Sequence, residues 1–183
     1  LVGDGLQTLA FELLSGELGI GGKAQLAMLH ALAQASGSHG MVGGQAIDLA
    51  SVGQALSLPE LEQMHIRKTG ALIRAAITLG RLCGNTLSDE HSAKLDHFAK
   101  CIGLAFQVVD DVLDAEASSA TLGKTAGKDA ANDKPTYVSL MGLKQAKQLA
   151  QELEADALAS LAIFGDKAQR LSQLAQFIVS RSF

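Results

Sequence analysis

Apolar residues recur at steps of three and four along nearly the whole chain, the spacing that sets one face of a helix against a core. The pattern predicts helices near 1–15, 21–36, 41–51, 58–83, 88–115, 135–164 and 167–181. Local signals agree with these limits. Ser88 followed by Asp89 and Glu90 makes a helix start, because acids favour the positive end of the helix dipole. Pro59 and Pro135 suit first turns, and Gly16, Gly84 and Gly165 stand where helices should stop. No stretch alternates as a strand would, and no repeat appears. The expected fold is all-α: a single domain over residues 1–183, built as a bundle of long helices. One segment escapes the period. Glu116–Lys134 is rich in Gly, Ser, Lys and Asp, and a loop of that length within a domain is usually a functional lid or disordered.

The helix predicted to end near Asp114 is the most informative. Leu95, Phe98, Ile102, Ala105, Val109 and Val112 form its seam, yet Cys101, Leu104, Phe106, Val108 and Leu113 make the other faces apolar too. Between Phe98 and Leu113 the only polar side chains are Lys100, Gln107, Asp110 and Asp111. A helix apolar nearly all round belongs in the middle of a bundle. Asp110 and Asp114 are four apart, with Gln107 one turn earlier on the same stripe. Together with Asp111 they put three carboxylates in close quarters, which repel and resist burial without a cation. Mg²⁺ suits such a cluster and shares its shell with water and phosphate oxygens. The plainer alternative is a solvated helix end carrying three surface acids.

The helix over 58–83 repeats the oddity. Lys68 falls inside the stripe Leu61, Met64, Leu72, Ala75 and Leu79, so its ammonium must snorkel outward or meet an anion. Thr69 beside it offers a hydroxyl. The following loop adds Lys124, Lys128 and Lys134, either as phosphate-binding cations or as ordinary solvated charges. Gly123-Lys-Thr-Ala-Gly127-Lys128 is not a nucleotide P-loop: the spacing is wrong, Asp129 replaces the Ser or Thr, and no strand precedes it.

Composition narrows the function classes. Net charge is -4, without a long run of one sign, so the chain lacks the basic field of a nucleic-acid binder. No apolar stretch is long enough to span a bilayer. Cys83 and Cys101 have no metal-ligand spacing and read as buried, reduced thiols, which points to a cytoplasmic protein. Acids on one helix, a lysine and a hydroxyl on another and cations on a lid are the groups a Mg²⁺-bound diphosphate needs.

Phe106-Gln-Val-Val-Asp-Asp-Val-Leu-Asp114 resembles the second aspartate-rich motif of the trans-isoprenyl diphosphate synthases, the polyprenyl synthetase family. Arg67-Lys-Thr-Gly70 resembles their K-T motif, and Gly43-Gly-Gln-Ala-Ile-Asp-Leu49 their G-Q-x-x-D motif. Gly3–Phe11 is similar to the helix that precedes these, and Thr121–Asp129 with Lys134-Pro-Thr136 to the lid that follows. Five weak motifs in order make a specific signature, with the flavour of bacterial short-chain members.

The resemblance implies helices around a central cavity, and condensation of an allylic diphosphate (dimethylallyl or geranyl) with isopentenyl diphosphate. The product would be a short chain such as farnesyl diphosphate, with pyrophosphate released. It implies that Asp110, Asp111 and Asp114 bind Mg²⁺ (or Mn²⁺), Asp110 most directly, and that Lys68, Lys124 and Lys134 hold the allylic diphosphate. Thr69 and Gln107 would flank the bond that breaks, while Gln45 and Asp48 organise the pocket. It further implies a homodimer. The family's first aspartate-rich motif, the arginine pair after it and the residues that bind isopentenyl diphosphate lie upstream of a segment like Gly3–Phe11. The chain is therefore expected to be the C-terminal portion of such an enzyme and inactive alone. The basic C-terminal tail of many members is reduced to Arg181. A terpene cyclase, a head-to-head condensing enzyme and a non-catalytic partner subunit are the competing readings.

Overall fold

One helix organises the rest, because its sequence is apolar on more than one face. The computed structural model describes residues 1–120 and 135–181, and every element among them is helical. The order is α1 (Val2–Ser15), α2 (Gly22–Ser36), α3 (Met41–Ala50), α4 (Leu58–His65), a π-helical turn (Ile66–Gly70) and α5 (Ala71–Cys83). Then come α6 (Asp89–Ala120), α7 (Tyr137–Met141), α8 (Leu143–Leu161), a 3-10 segment (Ala162–Ala168) and α9 (Gln169–Ser180).

Two apolar clusters meet along α6. Phe98, Cys101, Ile102 and Ala105 pack against Ala157 and Leu161 of α8 and Ala175 and Ile178 of α9. Further along, Val108, Val109 and Val112 pack against Leu61 and Met64 of α4, Tyr137 of α7 and Ala146 and Ala150 of α8. The α8 side of this contact is largely alanine, and small side chains let the two helix axes come close. The seam read from α6 is buried at Phe98, Ile102, Ala105, Val109 and Val112. By contrast α1 buries no residue, and Leu6, Leu9 and Leu13 are exposed.

The helix starts follow the expected chemistry. Ser57 and Glu60 form a capping box with Pro59 in the first turn of α4. The Ser88 hydroxyl accepts from the His91 N–H at 3.2 Å, closing the start of α6.

Four expectations need correction. The helix over 58–83 is interrupted by the π turn Ile66–Gly70. The helix over 135–164 breaks at Gly142, whose φ of 85° lies in the left-handed region that glycine enters without strain. α6 continues through Ala120, beyond its expected end at 115. Cys83 is exposed; Cys101 alone is buried, and both thiols are free. Burial first, and then the nearby Asp156 charge, pushes the Cys101 thiol up, so it stays protonated and unreactive.

Candidate active site

The π turn carries Lys68 and Thr69 into a tight joint between two helices. A side chain at Gly44 of α3 would meet the Lys68 backbone N at 2.2 Å, and one at Gly103 of α6 would meet the Gly70 Cα at 3.1 Å. Glycine is needed at Gly44 because the backbones touch there, and a side chain at Gly103 would press the turn by a few tenths of an ångström. π turns inside α-helices often mark functional sites, since the extra residue re-aims the side chains beside it.

Two polar contacts leave this turn. The Lys68 Nζ donates to Asp48 Oδ2 at 2.7 Å, and Asp48 is buried while Lys68 keeps about a third of its side chain open. The Thr69 hydroxyl donates to Gln107 Oε1 of α6. Thus the Lys-Thr pair is fastened to α3 on one side and, on the other, to the α6 stripe that holds Asp110 one turn later. Gln45, three residues before Asp48 on α3, is exposed.

The three acids have different surroundings. Asp110 is half-buried and its Oδ1 is ion-paired with Arg181. Arg181 also donates to the Phe106 carbonyl oxygen at 3.1 Å and lies 4.1 Å from the centre of the Phe106 ring. Burial pushes the Asp110 carboxyl up; Arg181 opposes this and Asp114 adds to it. Asp111 is buried, and its Oδ2 accepts the Tyr137 backbone N–H at 2.7 Å. Asp114 is exposed at the far end of the stripe. Lys124, Lys128 and Lys134 lie outside the described residues.

The role of Arg181 was not visible in the sequence beyond its being the one basic residue after an apolar C-terminal helix. Its guanidinium sits where a cation belongs beside Asp110, which is one test of whether this corner fits a metal ion. The donors fit too, because carboxylate oxygens are hard ligands of the kind Mg²⁺ takes. Among the described residues no three acids, histidines or cysteines gather closely enough to hold an ion unaided. Mg²⁺ commonly takes one or two carboxylates and fills its shell with water and phosphate oxygens.

A cavity of about 400 Å³ opens between the π turn, α5 and α6. Ile66, Ala71, Cys101, Leu104 and Leu153 supply apolar wall. Arg74 and Lys100, which also line it, are both paired with Asp96. Among the described residues no helix is long and apolar enough to cross a membrane.

Residues 1–169 match the polyprenyl synthetase family. The chain is 48% identical over 179 residues to a probable farnesyl diphosphate synthase of Bradyrhizobium diazoefficiens, covering 96% of this chain and 54% of that protein. It is 44% identical to the farnesyl diphosphate synthase of Escherichia coli, covering 62% of it. Among solved structures, geranyltransferase from Helicobacter pylori, complexed with magnesium and isoprenyl diphosphate, superposes with a TM-score of 0.77 at 32% identity. That match covers 97% of this chain and 57% of the other. A putative farnesyl-diphosphate synthase from Marinomonas gives a TM-score of 0.82 at 43% identity, over 97% of this chain and 61% of that one. The chain thus spans between half and two thirds of these relatives. On the family match over 169 residues and this closeness in sequence and fold, the chain belongs to the polyprenyl synthetase family.

Proposed function

We propose that the chain supplies the diphosphate-ionising half of a short-chain prenyltransferase. That enzyme joins an allylic diphosphate to isopentenyl diphosphate and releases pyrophosphate. The observation that carries the reading is the Thr69–Gln107 hydrogen bond, which ties the Lys-Thr turn to the acidic stripe of α6. It puts the Thr69 hydroxyl, with Lys68 next to it in the turn, against the α6 residue one turn before Asp110.

In this reading Asp110 and Asp114 would hold Mg²⁺, which when bound supplies the positive charge that stabilises a departing pyrophosphate. Lys68 leaves Asp48 in part to meet phosphate oxygens, and Asp48 keeps its ammonium aimed meanwhile. The oxygens of Thr69 and Gln107 face the carbon that becomes cationic. The apolar side of the cavity receives the prenyl chain and keeps water off it. Lys124 and Lys134 belong to the same reading as further cations toward the diphosphate. The free thiols suit a reducing cytoplasm, and a homodimer would cover the leucines that α1 leaves exposed.

The test is Asp110→Ala in the native protein, assayed for consumption of isopentenyl diphosphate, since only chain elongation uses it. Loss of a metal-holding carboxylate should lower turnover by about 100-fold or more while the helical signal persists. Turnover within a few-fold of the parent would defeat the proposal, and activity without isopentenyl diphosphate would redirect it to a cyclase.

A further inference from the structure

Asp111 follows Asp110 on α6, so helical geometry turns its side chain about 100° from its neighbour's. It is 8% exposed, and its Oδ2 takes the Tyr137 N–H at 2.7 Å. Tyr137 is the first residue of α7, and such an N–H has no partner within its own helix. Buried beside a 0% exposed side chain, that donor needs an acceptor, and a carboxylate is a strong one. The rest of the segment is built to hold this pose. The Thr136 hydroxyl accepts from the Ser139 N–H at 3.0 Å, and the Ser139 hydroxyl accepts from the Thr136 N–H at 2.9 Å. The Tyr137 ring stacks on His65 of α4 at 5.6 Å. One carboxylate thus joins α6 to α7 at a point where α4 also packs.

We infer that Asp111 is a positioning residue and not a metal ligand. It fastens Thr136–Tyr137 onto α6 next to Asp110. Asp110 and Asp114 keep the metal. The inference rests on the proposed role of Asp110, and the experiment separates the two.

Native protein carrying Asp111→Ala, Asp111→Asn or Asp110→Asn is compared with the parent by three measurements. These are hydrogen exchange of the peptide containing Tyr137, calorimetric binding of Mg²⁺ with inorganic pyrophosphate, and prenyl-transfer kinetics. Asp111→Ala should speed exchange at Tyr137 by about tenfold or more, because a charge-assisted bond is lost. Asp111→Asn keeps a carbonyl acceptor, so it should restore most of the protection and most of the kcat that Asp111→Ala loses. Its Mg²⁺–pyrophosphate affinity should stay within about threefold of the parent, whereas Asp110→Asn should weaken it about tenfold or more. Equal weakening by Asp111→Asn and Asp110→Asn would make Asp111 a ligand and overturn the inference, as would unchanged Tyr137 exchange in Asp111→Ala. If Asp111→Ala does not fold, Asp111→Asn decides alone through its metal affinity. Parent-like binding by Asp110→Asn would sink the diphosphate reading, and Tyr137 exchange would still judge Asp111.

Discussion

Gly44→Ala tests whether the Lys-Thr turn is held in place by backbone contact. In most helices the change is favourable, since alanine is about 1 kcal/mol better than glycine in a helix interior. At Gly44 the added Cβ would stand 2.2 Å from the Lys68 N, 2.5 Å from its Cα and 2.7 Å from its Cβ. Ordinary contact begins near 3.4 Å, so α3 must retreat from the turn by about 1 Å. Overpacking costs about 1–3 kcal/mol, and a 2.2 Å approach to backbone puts this contact at about 2–3 kcal/mol, which outweighs the propensity gain. The expected net loss is about 1–2 kcal/mol, or roughly 2–8 °C in Tm for a chain of this size. Activity should suffer more, since a displacement of about 1 Å at positioned groups can cost on the order of 100-fold. Gly80→Ala is the control, because nothing lies within 4 Å of a side chain there. It should raise Tm by about 2–4 °C from propensity alone. Scanning calorimetry and steady-state turnover of both variants decide the matter. If Gly44→Ala stabilises as Gly80→Ala does and keeps full turnover, the close approach of α3 to the turn is not what sets Lys68 and Thr69.

Thr69→Val removes the hydroxyl that Gln107 accepts and should cost about 1 kcal/mol of stability together with a fall in kcat; Thr69→Ser should restore both, measured by thermal melts and prenyl-transfer assay. Tyr137→Phe should raise Tm, because the buried Tyr137 hydroxyl has no hydrogen-bond partner among the described residues and its removal relieves a cost of about 1–3 kcal/mol. Burial, then the charges of Glu62 and Asp111, already push that phenol up, so no ionised form is lost. Arg181→Gln removes the influence that holds the Asp110 carboxyl down, so that carboxyl should move further up. A carboxyl raised in the folded state favours folding at low pH, and that advantage disappears as pH climbs through the folded value. The variant should therefore lose stability against the parent near neutrality, and the two should converge in acid where Asp110 is protonated in both. A gap that widens on acidification would refute this sign.

What could be read in advance follows from what a periodic pattern reports, namely which face of a helix is dry. Phe98, Ile102, Ala105, Val109 and Val112 share one face of α6, which local spacing alone fixes, and that face lies in the core. The same logic exposed Lys68 as a charge on an apolar stripe, and Asp48 turns out to be its partner. The π turn at Ile66–Gly70 shifts the register by one residue, so beyond it Ile73 and Ile77, not the expected Leu72 and Leu79, pack against the α6 core; the continuous apolar spacing of the segment hid that shift. The clue lay elsewhere, in Gly44 and Gly103, which acquire meaning only once α3 and α6 are known to touch that turn. Gly142 lies inside the helix expected over 135–164, and its positive φ separates α7 from α8.

The acidic motif shows the limit most clearly. Spacing says that Asp110 and Asp114 share a stripe and that Asp111 lies off it, but it cannot say what meets each carboxylate. Arg181 reaches Asp110 from 71 residues away, and Tyr137 reaches Asp111 from 26. Both partners come from segments whose own sequences give no hint of α6. The contacts nonetheless obey the constraint the spacing imposed: carboxylates this close to an apolar helix must each find positive charge or a donor. Asp110 meets a guanidinium and Asp111 a backbone N–H, so two adjacent, chemically identical residues are given different partners by the 100° between them.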